Sequence, residues 1–130
     1  MNNVFDLTGK VALITGAGGL LGPKHAEALI EQGAEVIITD HHEDRAKAVC
    51  ARLNDKYNKD CTTFFHMDVT NKDSVQQVAD DLDGVDILVN NAAKDPKVKK
   101  EAGLTPDSRF ETMTEEYWQE GIDAALNGTF

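Results

Sequence analysis

Thr15-Gly16-Ala17-Gly18-Gly19-Leu20-Leu21-Gly22 follows an uninterrupted apolar run, Val11-Ala12-Leu13-Ile14, and precedes a helical stripe of Ala26, Leu29 and Ile30. The run has the length and character of a buried strand, and the stripe has the spacing of an amphipathic helix. A glycine-rich turn between such elements serves three ends: a tight reversal, close approach of backbone to a ligand, and close packing of helix on sheet. The N–H groups at the start of the helix then face whatever the turn holds, and an anion such as a diphosphate suits them. Pro23 falls in the first helical turn, where a missing N–H does no harm, and Gly33 ends the helix as a left-handed cap.

The alternation continues outward. Val36-Ile37-Ile38-Thr39 reads as a second strand, and Ala46, Val49, Cys50 and Leu53 trace the buried side of a second helix. Thr63 to Met67 reads as a third strand. Val75, Val78, Ala79 and Leu82 repeat the helical stripe, with Asn71 or Thr70 as its cap. Ile87-Leu88-Val89 makes a fourth strand, followed by a polar loop from about Lys94 to Met113. Thr114, with Glu115 and Glu116 behind it, suits the start of a fourth helix carrying Trp118, Ile122, Ala125 and Thr129 along one side. Continuous apolar strands alternating with helices imply an α/β fold with a parallel sheet covered on both faces. Right-handed crossovers give a Rossmann-type doubly wound sheet of about four strands in the order 3-2-1-4. Asp40 ends the second strand, where an acid can accept hydrogen bonds from both hydroxyls of an adenosine ribose. It would also repel a 2′-phosphate, by roughly 4 kcal/mol for unit charges about 4 Å apart at an effective dielectric of about 20. The glycine loop carries no Lys or Arg, so NAD is favoured over NADP, although His41, His42 and Arg45 offer NADP a counter-charge.

The 130 residues suffice for one domain, and 41% apolar with 28% charged residues is an ordinary globular balance. The net charge of −10 disfavours nucleic acid as a partner. It leaves a small anionic ligand open, since local backbone dipoles act at short range. No run is long and apolar enough for a membrane span, and the N-terminus has no basic region preceding an apolar core, so no signal peptide is expected. Cys50 and Cys61 form no CxxC and no metal spacing, which suits unpaired thiols in a cytoplasmic protein. His41-His42-Glu43-Asp44 superficially suggests a metal cluster, but adjacent histidines should splay apart and no third ligand supports them. His66 reads as a packed or edge histidine of the third strand.

The Thr15–Gly22 loop, Asp68-Val69, Asn90-Asn91-Ala92-Ala93 and the segment from Trp118 to Phe130 occur in order, and together they resemble the short-chain dehydrogenase/reductase family across nearly the whole chain. The resemblance implies that Gly16, Gly19, Leu20, Leu21 and Gly22 surround the diphosphate. It implies that Asp68 and Val69 contact the adenine, that Asn90 and Ala92 line the adenosine side, and that Asn90 braces the sheet. Read without the family, Asp68-Val69-Thr70 is equally a start signal for the third helix. The substrate implied is a small molecule, and the complete enzyme would be a homo-oligomer.

Three departures stand out. The loop reads TGxxGxxG with Leu20 in the middle, whereas the compact branch of the family writes TGxxxGxG; the Asn-Asn-Ala-Ala motif nevertheless belongs to that branch. Ala125 occupies the position of the family's fourth-helix asparagine and cannot hydrogen-bond a relay water. The family's catalytic Ser and YxxxK have no counterpart, since Tyr57 and Tyr117 are followed four residues on by Cys61 and Gly121. Residues 1–130 therefore read as a single NAD(P)-binding domain, truncated before its catalytic residues, holding no catalytic residue itself and inactive alone. The alternative is a non-catalytic nucleotide-binding module or pseudo-enzyme. Lys97, Lys99 and Lys100 form a basic patch in the long loop, either solvated or facing an anionic substrate. That loop, with Asn-Asn-Ala-Ala and the missing asparagine, resembles members acting in flagellin modification and activated-sugar synthesis.

Overall fold

The computed structural model describes residues 4–94 and 109–130. The chain divides into two compact units, Met1–Ala92 and Ala93–Phe130. The first unit holds β1 (Val11–Ile14), α1 (Gly22–Glu31), β2 (Glu35–Asp40), α2 (Glu43–Tyr57), β3 (Thr62–His66), α3 (Lys72–Asp80) and β4 (Ile87–Val89). The strands are all parallel and lie in the order β3-β2-β1-β4, as the alternation predicts.

Strand pleating sorts the core into two faces. Ala12 and Ile14 of β1 with Val36 and Ile38 of β2 pack against Ala26 and Ile30 of α1 and Ala46, Val49 and Leu53 of α2. The alternate residues Leu13 and Ile37 point the other way and pack with Met67 and Val78 of α3. This two-sided covering explains why the strands are apolar throughout rather than alternating.

Helix ends follow the local chemistry. Gly33 adopts φ +99°, and a Cβ there would lie 2.8 Å from Thr8 Oγ1, so both conformation and space require glycine. Of the two candidate caps for α3, Asn71 does the capping: its Oδ1 accepts from the N–H groups of Asp73 and Ser74. Only Val78 of the α3 stripe is buried, and Val75 faces outward. β3 starts and ends one residue earlier than expected, because Asn54 of α2 seizes its first residues. The Asn54 Oδ1 accepts from the N–H groups of Cys61 and Thr62 at 3.0 and 2.9 Å and from Thr62 Oγ1 at 3.0 Å. Its Nδ2 donates to the Thr62 carbonyl at 3.1 Å. Cys50 and Cys61 are both free and buried beside this side chain, and burial pushes the Cys61 thiol pKa up.

In the second unit a short 3₁₀ turn (Phe110–Thr112) precedes α4 (Glu115–Ile122), which Thr114 caps by accepting the Tyr117 N–H. The expected single stripe from Trp118 to Thr129 is interrupted. The helix widens into a π-turn at Asp123–Asn127, which breaks the regular α-helical spacing behind Trp118 and Ile122, and Ala125 and Thr129 are exposed. Lys97, Lys99 and Lys100 lie outside the described residues. Among the described residues no helix is long and apolar enough to cross a membrane.

Candidate dinucleotide site

The glycine loop sits at the carboxyl end of β1, flanked by the ends of β2 and β4. Gly16 holds φ +60°, and a Cβ on it would lie 2.7 Å from the Ala92 Cα. Gly22 is equally confined, with a virtual Cβ 2.4 Å from the Ala17 Cα. Both positions therefore need glycine for packing of the loop itself. Gly19 closes the turn by donating to the Gly16 carbonyl at 3.3 Å. The N–H groups of Leu20, Leu21 and Gly22 have no acceptor among the described residues. Three consecutive donors at the positive end of α1 form a cradle whose chemistry fits a diphosphate. The side chains of Leu20 and Leu21 are exposed, so they do not fill that cradle.

Asp40 stands at the end of β2, next to the loop. Its Oδ2 accepts the Gly18 N–H at 3.0 Å and its Oδ1 accepts the His42 N–H at 2.9 Å. The side chain is only 5% exposed. Each oxygen keeps one further acceptor position on a carboxylate already fixed in place. A Cβ on Gly18 would lie 2.9 Å from that Oδ2 and 2.6 Å from the Arg45 Cβ. Gly18 thus lets Asp40 and the stem of Arg45 close over the loop. The expectation that His41 and His42 splay apart is corrected: their ring centroids lie 3.9 Å apart at a 40° tilt. His41 turns back so that its Nδ1 lies 3.4 Å from Asp40 Oδ1, which brings its ring alongside its neighbour's. Among the described residues no group of three or more His, Cys, Asp or Glu could hold a metal ion.

Asp68 and Val69 follow β3. The Asp68 Oδ1 accepts from the N–H and hydroxyl of Thr70 at 2.9 and 2.7 Å, and the Thr70 hydroxyl foremost holds the carboxyl below its usual range. The helix-start role read from the bare sequence is therefore present. Val69 is half-buried against the second core face. After β4, the bracing expected of Asn90 is made by its neighbour. Asn91 Nδ2 donates to the carbonyls of Thr15 and Gly16, both at 3.0 Å, while the N–H groups of Asn91 and Ala92 donate to Thr15 Oγ1. Asn90 is exposed at the strand end.

Sequence reasoning thus missed Asn91, Thr15 and Gly18. A buried hydroxyl at the end of an apolar strand was the available signal for Thr15, since it must find partners. In the second unit, Lys94, Met113, Tyr117, Trp118, Gly121 and Ile122 line an open hollow of about 240 Å³ that contains none of the expected cofactor residues. The chemistry lies with the glycine loop, where backbone donors and a carboxylate converge.

Residues 10–130 match the family model described as short chain dehydrogenase. The 3-oxoacyl-[acyl-carrier-protein] reductase of Aquifex aeolicus is 35% identical over 128 residues, covering 95% of this chain and 47% of the reductase. A gluconate 5-dehydrogenase from Burkholderia cenocepacia, solved with NADP and tartrate, superposes with TM-score 0.77 at 28% identity, covering 97% of this chain and 46% of that one. A 3-ketoacyl-(acyl-carrier-protein) reductase from Brucella melitensis, solved with NADH, gives TM-score 0.74 at 28% identity over 95% of this chain and 46% of that one. The chain spans about half the length of the relatives it matches. With its parallel sheet, its glycine loop and the Asn91 brace, the chain belongs to the short-chain dehydrogenase family of oxidoreductases.

Proposed function

We propose that these residues form the NAD-binding half of a short-chain dehydrogenase acting on a small hydroxyl or carbonyl substrate. The observation that carries this reading is the row of uncommitted N–H groups at Leu20, Leu21 and Gly22 beside the Asp40 carboxylate. In this reading the loop holds the diphosphate, Asp40 takes the adenosine ribose, Asp68 and Val69 take the adenine, and Asn90 and Ala92 line the adenosine side. A bound nicotinamide supplies hydride transfer. Proton transfer falls to a Ser, Tyr and Lys outside these 130 residues, so the chain alone turns nothing over. A polyhydroxylated, sugar-like substrate is consistent with the likeness to a gluconate dehydrogenase. A homo-oligomeric complete enzyme and a cytoplasmic setting, in which the two buried thiols stay reduced, belong to the same proposal.

Calorimetric titration of the chain with NAD tests the reading. Binding is expected, and Asp40→Ala should weaken it at least tenfold, as loss of a hydrogen-bonded charge at a ribose would. Absence of NAD binding, or an unchanged affinity in the variant, would remove the assignment.

A further inference from the structure

Tyr117, Trp118, Gly121 and Ile122 recur at helical spacing and share one face of α4. With Met113, from the turn before the helix, and Lys94, they surround the open hollow of about 240 Å³. Gly121 makes the room: it lies inside the helix without a positive φ, and a Cβ built there meets nothing within 4 Å. Neither conformation nor packing requires glycine at this position, and glycine weakens a helix. What it contributes is open space. The rim already holds an ammonium. Lys94 Nζ stands 4.9 Å from the centre of the Tyr117 ring and pairs with the Glu120 carboxylate. Trp118, 56% exposed, adds a second aromatic wall.

We infer that this hollow is a binding site for a small organic ammonium with an apolar body, and that Lys94 is its internal stand-in. The ligand's ammonium takes the place of Lys94 between the Tyr117 ring and Glu120, and its apolar body enters the hollow against Met113, Trp118 and Ile122. An aromatic face attracts a cation through its quadrupole, and the neighbouring carboxylate adds a counter-charge. The surrounding charge selects the same sign: from Phe110 to Phe130 the chain carries Glu111, Glu115, Glu116, Glu120 and Asp123 and no Lys or Arg. Among the lining residues only Lys94 would favour a carboxylate ligand, and it is already paired. Displacing Lys94 costs little, because the side chains of the pair are 40% and 56% exposed and a surface ion pair holds weakly. Lys94 lines the hollow without filling it, so the ligand's apolar body adds burial that Lys94 does not supply. The site lies wholly within the second unit and uses nothing of the glycine loop, so it stands or falls apart from dinucleotide binding.

Benzylammonium, benzyl alcohol and benzoate share one aromatic body and differ in charge, and titration of the 130-residue chain with each at neutral pH tests the site. Trp118 is the sole tryptophan, so its fluorescence reports on the hollow directly, and calorimetry measures the same binding independently. Benzylammonium should bind about tenfold more tightly than benzyl alcohol, and benzoate more weakly than either. Lys94→Ala removes the internal competitor and should tighten benzylammonium binding, the opposite of what loss of a lining residue would do. Glu120→Gln should weaken it by about threefold. Gly121→Leu fills the hollow without changing charge and improves helix propensity, so it should abolish binding while the circular dichroism spectrum is retained. Absence of benzylammonium binding by both measures at millimolar concentration overturns the site. Tighter binding of benzoate, or a Gly121→Leu chain that binds benzylammonium as before, does the same. Unchanged or weaker benzylammonium binding in Lys94→Ala overturns the stand-in role.

Discussion

Gly16 carries two demands at once, a left-handed backbone and contact with Ala92, and each alone would strain a side chain. Gly16→Ala should therefore destabilise the fold by about 2–5 kcal/mol, the sum expected for left-handed strain and overpacking. The shift in urea midpoint measures it, and a loss under about 1 kcal/mol would show that Ala92 moves aside easily. Asn91 offers a second measure. Asn91→Ala removes the two donations to the Thr15 and Gly16 carbonyls, and should loosen the glycine loop, weakening NAD affinity more than it lowers the thermal midpoint. Which of the two adjacent asparagines would do this was not legible in the sequence. Successive residues leaving a three-residue strand point to different sides, and the register of β4 against β1 decides between them. The stacking of His41 on His42 was equally hidden, because it follows from the turn of His41 toward Asp40.

At the level of elements, pattern reading worked wherever burial is regular. Ala46, Val49, Cys50 and Leu53 of α2 are all buried as their spacing predicts, and Gly33 and Pro23 mark the ends of α1 as their chemistry requires. Reading weakened where a side chain makes local contacts instead of joining a stripe. Asn54 shifts the start of β3, and the π-turn after α4 changes the rotation per residue with no Pro or Gly within its own five residues. Leu53→Ala, at a position with no exposure, should cost about 2–5 kcal/mol. Asn71→Ala should cost only about 1 kcal/mol, since water can replace a cap at a helix end. The two substitutions, followed by chemical denaturation, thus separate core packing from capping.

At the scale of the whole molecule, several carboxylates contribute in the same direction. Asp86 is held below the usual carboxylate range first by the Val11 N–H and then by Lys10; Thr70 holds Asp68 down and Thr8 holds Asp6 down. A depressed folded value means stability that is complete above the unfolded value and lost as pH falls through the folded one. The urea midpoint should accordingly drop on acidification below about pH 4, and Asp86→Asn should remove part of that drop. β4 pairs only with β1 among the described residues and presents an exposed Leu88. Such an edge favours association, so light scattering should detect species larger than a monomer at micromolar concentration, and Leu88→Lys should reduce them. The Asn54 carboxamide has a consequence in time as well as in energy. It joins α2 to β3 across the short link from Asn58 to Cys61, so this contact closes a small loop, whereas every strand pair in the sheet must close a long crossover. The α2–β3 corner is then expected to be the nucleus on which the slower parallel pairings condense. Stopped-flow refolding of Asn54→Ala should show its lost stability mainly as a slower folding limb, with the unfolding rate nearly unchanged.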